Sequence, residues 1–196
     1  TIDVAGKFAS TSSFKKGSYT YKVTLKNGDK TRGTMVFTTL INLDGALPAY
    51  PGDNLATIIA TAEANATIVL LPKDDNNSFI YTDESGTAKT LEIELTKDVT
   101  IKGLYAENRP TTNIKFVLSG CNNFKIENLN LTASDGGTII TVLDSKGGNI
   151  TVTNCDVTGF GSLLVENDNT QTGTINTFTV DNCIFHDMAS GKRFVD

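Results

Sequence analysis

Three acidic residues, Asp144, Glu166 and Asp168, fall at or near equivalent turn positions of successive sequence repeats, and Asp196 continues the series. Carboxylates brought together in that way can share one Ca2+, a hard cation that takes oxygen ligands. The plainer reading is turn-forming Asp in solvated loops. Arg109, directly before Pro110, and Arg193 are the cations suited to the carboxylate of an acidic sugar. With Tyr105 and Asn130 they make up the candidate glycan-binding set. The single histidine, His186, stands between Phe185 and Asp187 and, with no nucleophile beside it in the repeat pattern, reads as a surface residue. Removing a proton next to a uronic carboxylate requires that carboxylate to be neutralised and a base held within hydrogen-bond reach. Hydrolysis of a glycosidic bond requires a pair of carboxyl groups. The chain offers scattered Asp, one His and three Arg. No catalytic residue is assigned, and no cofactor is expected beyond the Ca2+ option.

The elements that must position these residues are repeats. VTIKGLYA from Val99, FKIENLNL from Phe124, ITVTNCDV from Ile150 and FTVDNCIF from Phe178 align residue by residue, with starts 25, 26 and 28 residues apart. That is the period of a solenoid with one supersecondary unit per repeat. Apolar and polar residues alternate with period two and Val, Ile, Thr and Phe dominate, so the units are strands. In register, the inward columns read Val99/Phe124/Ile150/Phe178, Ile101/Ile126/Val152/Val180, Leu104/Leu129/Cys155/Cys183 and Ala106/Leu131/Val157/Phe185. The outward columns read Thr100/Lys125/Thr151/Thr179, Lys102/Glu127/Thr153/Asp181 and Tyr105/Asn130/Asp156/Ile184, a solvated face with weak surface ion pairs around Glu127. Alternation breaks once, at Gly103/Asn128/Asn154/Asn182. This marks a corner, because Asn tolerates left-handed backbone and its amide can bond along the stack. Asn128, Asn154 and Asn182 are therefore expected to form a structural ladder.

Cys155 and Cys183 share one inward column and read first as small apolar packing units, with a vertical disulfide as the lesser reading. Cys121, in the turn SGCNN, leaves the count odd, and no Cys/His spacing suggests zinc. Second apolar pieces lie between the repeats. GTIITVLD from Gly137, GSLLVEND from Gly161 and GKRFVD from Gly191 align on their opening glycines. GKRFVD breaks off at Asp196 while still matching the coil before it, so further coils are expected to follow.

The repeats point to an all-β fold, a right-handed parallel β-helix (a single-stranded solenoid) over residues 53–196. The Asn-Gly hairpin signal, expected between neighbouring strands of a sandwich, is missing from residues 91–196. Residues 1–43 have a different period: SYTYKVTL and TRGTMVFTT flank an Asn27-Gly28-Asp29 turn as a hairpin, with TIDVAG as a further strand. Residues 44–52, with Gly45, Pro48, Pro51 and Gly52, form a linker. Asp53 then serves as N-cap of a helix at about 54–64, whose apolar side covers the open end of the coils.

In its repeats and Asn corner the chain resembles the pectate-lyase-like parallel β-helix. It is most similar to uncharacterised surface proteins of gut polysaccharide-degrading bacteria in which a fibronectin type III module precedes such a helix. The resemblance spans about residues 50–196 for the helix. For the module it spans 1–43, which hold only the last strands of that fold. It implies a secreted or cell-surface location, bacterial extracellular or periplasmic, and a carbohydrate partner.

Composition is consistent with this. The 196 residues carry a formal charge of −5, with a pI near 4.9 and no Lys/Arg cluster, which argues against nucleic acid and anionic membrane surfaces. The longest apolar stretch, ATIVLLP, is too short to span a bilayer. The expectation is a monomeric, non-catalytic module that contacts glycans. The alternatives are a polysaccharide lyase or hydrolase acting on acidic glycans and a structural spacer.

Overall fold

The computed structural model describes residues 17–41, 43–72, 78–82, 85, 87–133, 136–144, 148–166 and 175–195. From residue 66 onward the chain runs through three parallel sheets in turn, circuit after circuit, and Leu47–Ala49, ahead of the helix, adds an outer strand to the first of them. The first face stacks Leu47–Ala49, Ala66–Leu70, Val99–Gly103, Asn123–Glu127, Asn149–Thr153 and Thr177–Asp181. The second stacks Ser78–Phe79, Thr111–Thr112, Asn130–Thr132, Asp156–Thr158 and Ile184–His186. The third stacks Leu91–Leu95, Ile114–Ser119, Thr138–Asp144 and Ser162–Glu166. Every neighbouring pair in these sheets is parallel, as expected for a β-helix.

Like stacks on like. Val99, Phe124, Ile150 and Phe178 face one another through the first sheet, as do Ile101, Ile126, Val152 and Val180. On the third face Ile93, Phe116, Ile140 and Leu164 form a further column. Apart from Val180, which is exposed on the outermost described strand, these side chains fill one continuous core. Burying an aliphatic or aromatic side chain fully contributes about 1.5–3 kcal/mol, so each complete circuit stabilises its neighbours by several such increments.

The corner between the first and second faces is made by Asn128, Asn154 and Asn182, at φ of 57°, 53° and 49°. These are left-handed values that Asn accepts more readily than a bulkier residue. Asn182 Nδ2 donates to Asn154 Oδ1, which is one rung of the expected ladder. The rung below is not made, since Asn128 Oδ1 is buried without a partner. Gly103 occupies the same corner one coil earlier and has no amide to offer. A Cβ there would collide with the backbone oxygen of Asn128 and with Pro110 Cδ.

After Gly103 the structure departs from the sequence alignment. Thr111, not Tyr105, pairs with Asn130, and Thr112, not Ala106, pairs with Leu131. The Asn130 amide donates to Pro110 O just as that of Asp156 donates to Leu129 O and that of Ile184 to Cys155 O. Pro110 is thus the counterpart of Leu129, Cys155 and Cys183, and residues 104–109 are an insertion looped out of the coil. Leu104 is outside the main core, packed with Leu43, Val69 and Leu71 in a small apolar cluster. Both the notional Leu104 and Ala106 columns and the Tyr105/Asn130 row are corrected by this pairing. An apolar-polar-apolar octet fits either register, and only closure of the coil selects one. On the third face Val195, rather than Phe194, bridges to Leu164, one residue from the glycine-anchored alignment.

The helix spans Leu55–Thr61, with Leu55 and Ile59 buried in the end of the core. Its N-cap is Asn54, whose Oδ1 accepts from Thr57 N at 3.0 Å, and not Asp53. The Asp53 carboxylate closes the preceding turn by accepting from Tyr50 N at 2.8 Å. Lys97 Nζ donates to Ala60 O and Ala62 O, satisfying carbonyls at the helix C-terminus. At the other end Val180, Phe194 and Val195 are exposed, with no described layer above them. Gly17–Asn27 and Lys30–Ile41 pair antiparallel as the expected hairpin, with Gly28 at φ of 58° in its turn. The TIDVAG strand lies outside the described residues.

Two stability outcomes follow from these contacts. Asn154→Ala should cost about 1–3 kcal/mol by denaturant unfolding, combining left-handed strain with the lost rung, whereas Asn154→Gly removes the rung but not the backbone fit and should cost less. Thr112 is buried with an unpartnered hydroxyl. Thr112→Val should accordingly be neutral or stabilising by about 1 kcal/mol, and a loss of similar size would show that the hydroxyl is satisfied.

Candidate functional site

Two outward surfaces carry polar side chains in register. On the first face the parallel pairing aligns Thr67, Thr100, Lys125, Thr151 and Thr179 in one row, and Lys102, Glu127, Thr153 and Asp181 in the next. The rows match the sequence expectation because the strand period of two dictates which residues face out. Lys125 Nζ and Glu127 Oε2 are 2.9 Å apart across alternate positions of one strand, a solvated ion pair of little energetic weight.

Along the entry to this face runs a hydrogen-bonded polar chain that the repeat alignment did not single out. Asp98 accepts from Asn122 N, Asn123 N and Asn123 Nδ2 at 2.6, 2.9 and 2.7 Å. Asn149 Nδ2 donates to Asn123 Oδ1 at 3.0 Å, and Thr177 Oγ1 donates to Asn149 Oδ1 at 2.7 Å. Partial burial pushes the Asp98 carboxyl upward, but the donors from Asn123 and Asn122 outweigh it and hold the group below its ordinary 3.8. The signal was present in the sequence: Asp98, Asn123, Asn149 and Thr177 each precede the first apolar residue of a repeat. Beside this chain lies a groove of about 80 Å3, lined by Asn65, Asp98, Thr100, Asn123, Phe124 and Lys125.

The second face presents Thr111, Asn130, Asp156 and Ile184 in a row, with Thr132, Thr158 and His186 in the next. His186 is held from both sides, by Asp156 Oδ1 at 2.8 Å from Nε2 and by Asp187 Oδ2 at 2.9 Å from Nδ1. The bond to Asp187, then that to Asp156, raises the imidazole above its ordinary 6.5. Reciprocally, His186 holds the Asp187 carboxyl below 3.8.

Of the sequence candidates for glycan contact, Asn130 and Arg109 are brought together, but through the backbone: Asn130 Nδ2 donates to Arg109 O at 3.3 Å. The Arg109 side chain turns back, Nε donating to Ala106 O at 3.0 Å. Tyr105 is exposed on the inserted loop, and Arg193 lies in the segment between the second-face strand and the Val195 bridge. Asp168 lies outside the described residues, and Asp144 and Glu166 are described in backbone only, so the proposed Ca2+ cluster falls there too. A buried crosslink also went unrecognised in the sequence. Asn113 Oδ1 accepts from Tyr81 N at 3.0 Å, while Nδ2 donates to Tyr81 O at 3.2 Å and Lys89 O at 2.8 Å. It pins the segment around Tyr81 to the next coil as a strand would. Among the described residues no helix is long and apolar enough to cross a membrane.

Three parallel faces, corner asparagines and a main core enclosed between the faces define a parallel β-solenoid. Residues 86–196 match the family described as Domain of unknown function (DUF4957), and the chain belongs to that family. No curated protein and no solved structure gives a match.

The His186 geometry sets a pH dependence. A raised imidazole pKa stabilises the fold fully below the ordinary value of 6.5, and that contribution is lost as pH rises through the raised value. In an NMR titration of tag-free protein the only imidazole should titrate above 6.5, and Asp187→Asn and Asp156→Asn should each lower the midpoint. An unshifted midpoint would show that the imidazole is not held by these carboxylates in solution.

Proposed function

We propose that this protein is a secreted or cell-surface module that binds glycan chains without cleaving them. The observation that carries the reading is the straight polar strip on the first face. Rows of Thr, Lys and Glu are spaced by the strand repeat of about 4.8 Å and flanked by the Asp98–Asn123–Asn149–Thr177 chain and its groove. Hydroxyls, amides and an ammonium group at fixed intervals on a rigid sheet suit an extended polymer that repeats its own hydroxyls. Ordering these groups costs little on binding because the stack already holds their backbones. The resemblance of the repeats to pectate-lyase-like helices supports carbohydrate as the ligand class. The antiparallel hairpin is compatible with the closing strands of a fibronectin type III-like module. Tyr105, exposed on the inserted loop 104–109, would offer an aromatic ring, Asn130 on the second face an amide, and Arg193 a further cation.

Binding can be checked on a glycan array, followed by affinity electrophoresis in pectin, polygalacturonate, alginate and glycosaminoglycans. Wild-type protein should be retarded by at least one polymer, and Lys125→Ala combined with Thr151→Ala should weaken that binding about tenfold, equivalent to ~1.4 kcal/mol. Absence of binding to every polymer would favour a spacer. Release of unsaturated products or reducing ends, abolished by changing Arg109, Asp144, Glu166 or Arg193, would replace the reading with that of a lyase or hydrolase.

A further inference from the structure

Cys155 and Cys183 occupy equivalent positions of adjacent coils. Thr153 pairs with Asp181 and Asp156 with Ile184, so the two cysteines lie opposite one another between these pairs. The Ile184 amide donates to Cys155 O at 2.9 Å, and Cys155 N donates to Cys183 Sγ at 3.4 Å. Cα atoms of in-register parallel neighbours are separated by about the strand spacing of 4.8 Å, inside the 4.4–6.8 Å that a disulfide bridges. Both side chains point to the same interior side, and both thiols are free in this structure.

We propose that Cys155 and Cys183 form a redox-active pair that closes to a disulfide and staples the outermost described layer to the coil beneath it. That layer is the one in need of a staple. Val180 and Ile184 are 37% and 57% exposed, and no described strand pairs with the outer edge of Thr177–Asp181 or Ile184–His186.

The two thiols are unequal in a way that orders the chemistry. Cys155 is buried, whereas Cys183 is partly accessible at the open end. A hydrogen bond from Cys155 stabilises the Cys183 thiolate, with backbone donation from Cys155 and the nearby Arg109 charge acting in the same direction, and the Cys155 thiol is correspondingly raised. With a low-molecular-weight disulfide such as oxidised glutathione as oxidant, the Cys183 thiolate attacks one of its sulfurs and releases a glutathione thiolate. The Cys155 thiol then loses its proton and attacks Cys183 Sγ, releasing the second glutathione. Two cysteine thiols are oxidised, one glutathione disulfide is reduced, and the two protons end on the two glutathione thiols. Cys121 is separate: burial, and then the charge of Asp98, pushes its thiol up to about 11, which makes it a poor nucleophile.

The test uses the folded full chain in a reduced/oxidised glutathione buffer at neutral pH, followed by alkylation of free thiols, digestion without reduction and mass spectrometry. The expected product is a Cys155–Cys183 cross-linked peptide pair lacking two hydrogens, with Cys121 alkylated. In Cys155→Ala, which removes the resolving thiol but keeps a small apolar side chain, Cys183 should accumulate as the glutathione adduct. Oxidised wild-type protein should unfold several degrees above the reduced form, a difference absent in Cys155→Ala. The proposal is overturned if wild-type Cys183 remains free or stops at the glutathione adduct while Cys155 is alkylated. It is equally overturned if the cross-link forms only in denaturant.

Discussion

Parallel stacking in register is the constraint on which everything else in this molecule rests. Neighbouring strands lie about 4.8 Å apart and each side chain's partners are its equivalents in the coils above and below. A position is therefore satisfied or unsatisfied as a column. Phe124 is buried because Val99 and Ile150 are apolar at the same step. Polar side chains obey the same rule: Asn149 bonds Asn123 and Thr177 because all three stand at the same point of successive coils. Stability in such a stack is a sum of nearest-neighbour terms, and the ends are its weak points.

The two ends are managed differently. At one, the helix Leu55–Thr61 turns Leu55 and Ile59 into the core, and Lys97 reaches across to hold its last carbonyls. At the other, described end, aromatic packing among Phe160, Phe185 and Phe194 draws the last segment inward, yet Val180 and Val195 stay exposed. Corners are handled by backbone chemistry. Asn accepts the left-handed turn at three levels, and Gly103 is required at a fourth because Pro110 and the Asn128 carbonyl leave no room for a side chain.

The outward surface inherits its order from the core. Residues that alternate with buried ones are delivered to solvent in straight rows, so a regular array of hydroxyls and amides arises without any separate device to position it. The corner between third and first faces adds a hydrogen-bonded line anchored on Asp98, which fixes amides that would otherwise rotate freely. Recognition of an extended polymer by such a surface would draw on rigidity rather than on a deep pocket.

Much of this was legible in the amino-acid sequence. Period-two alternation in four aligned octets determined strands, the inward first-face columns, the outward Thr rows and the Asn corner, because burial on one side of a strand is a local property of residue type. The hairpin around Gly28 was likewise local. What only the tertiary structure decided was where the coil closes. The same octet pattern placed Leu104 and Ala106 inside, but the circuit loops out residues 104–109 and puts Pro110 and Thr112 there instead, leaving Leu104 against Val69. Asn54 displaced Asp53 as helix cap for a similar reason, since Asp53 was already engaged by the Tyr50 amide. Asn113, buried and bonded to Tyr81 and Lys89, carries no local mark at all. Such choices depend on which distant backbone groups need partners, and those partners exist only once the coils have stacked.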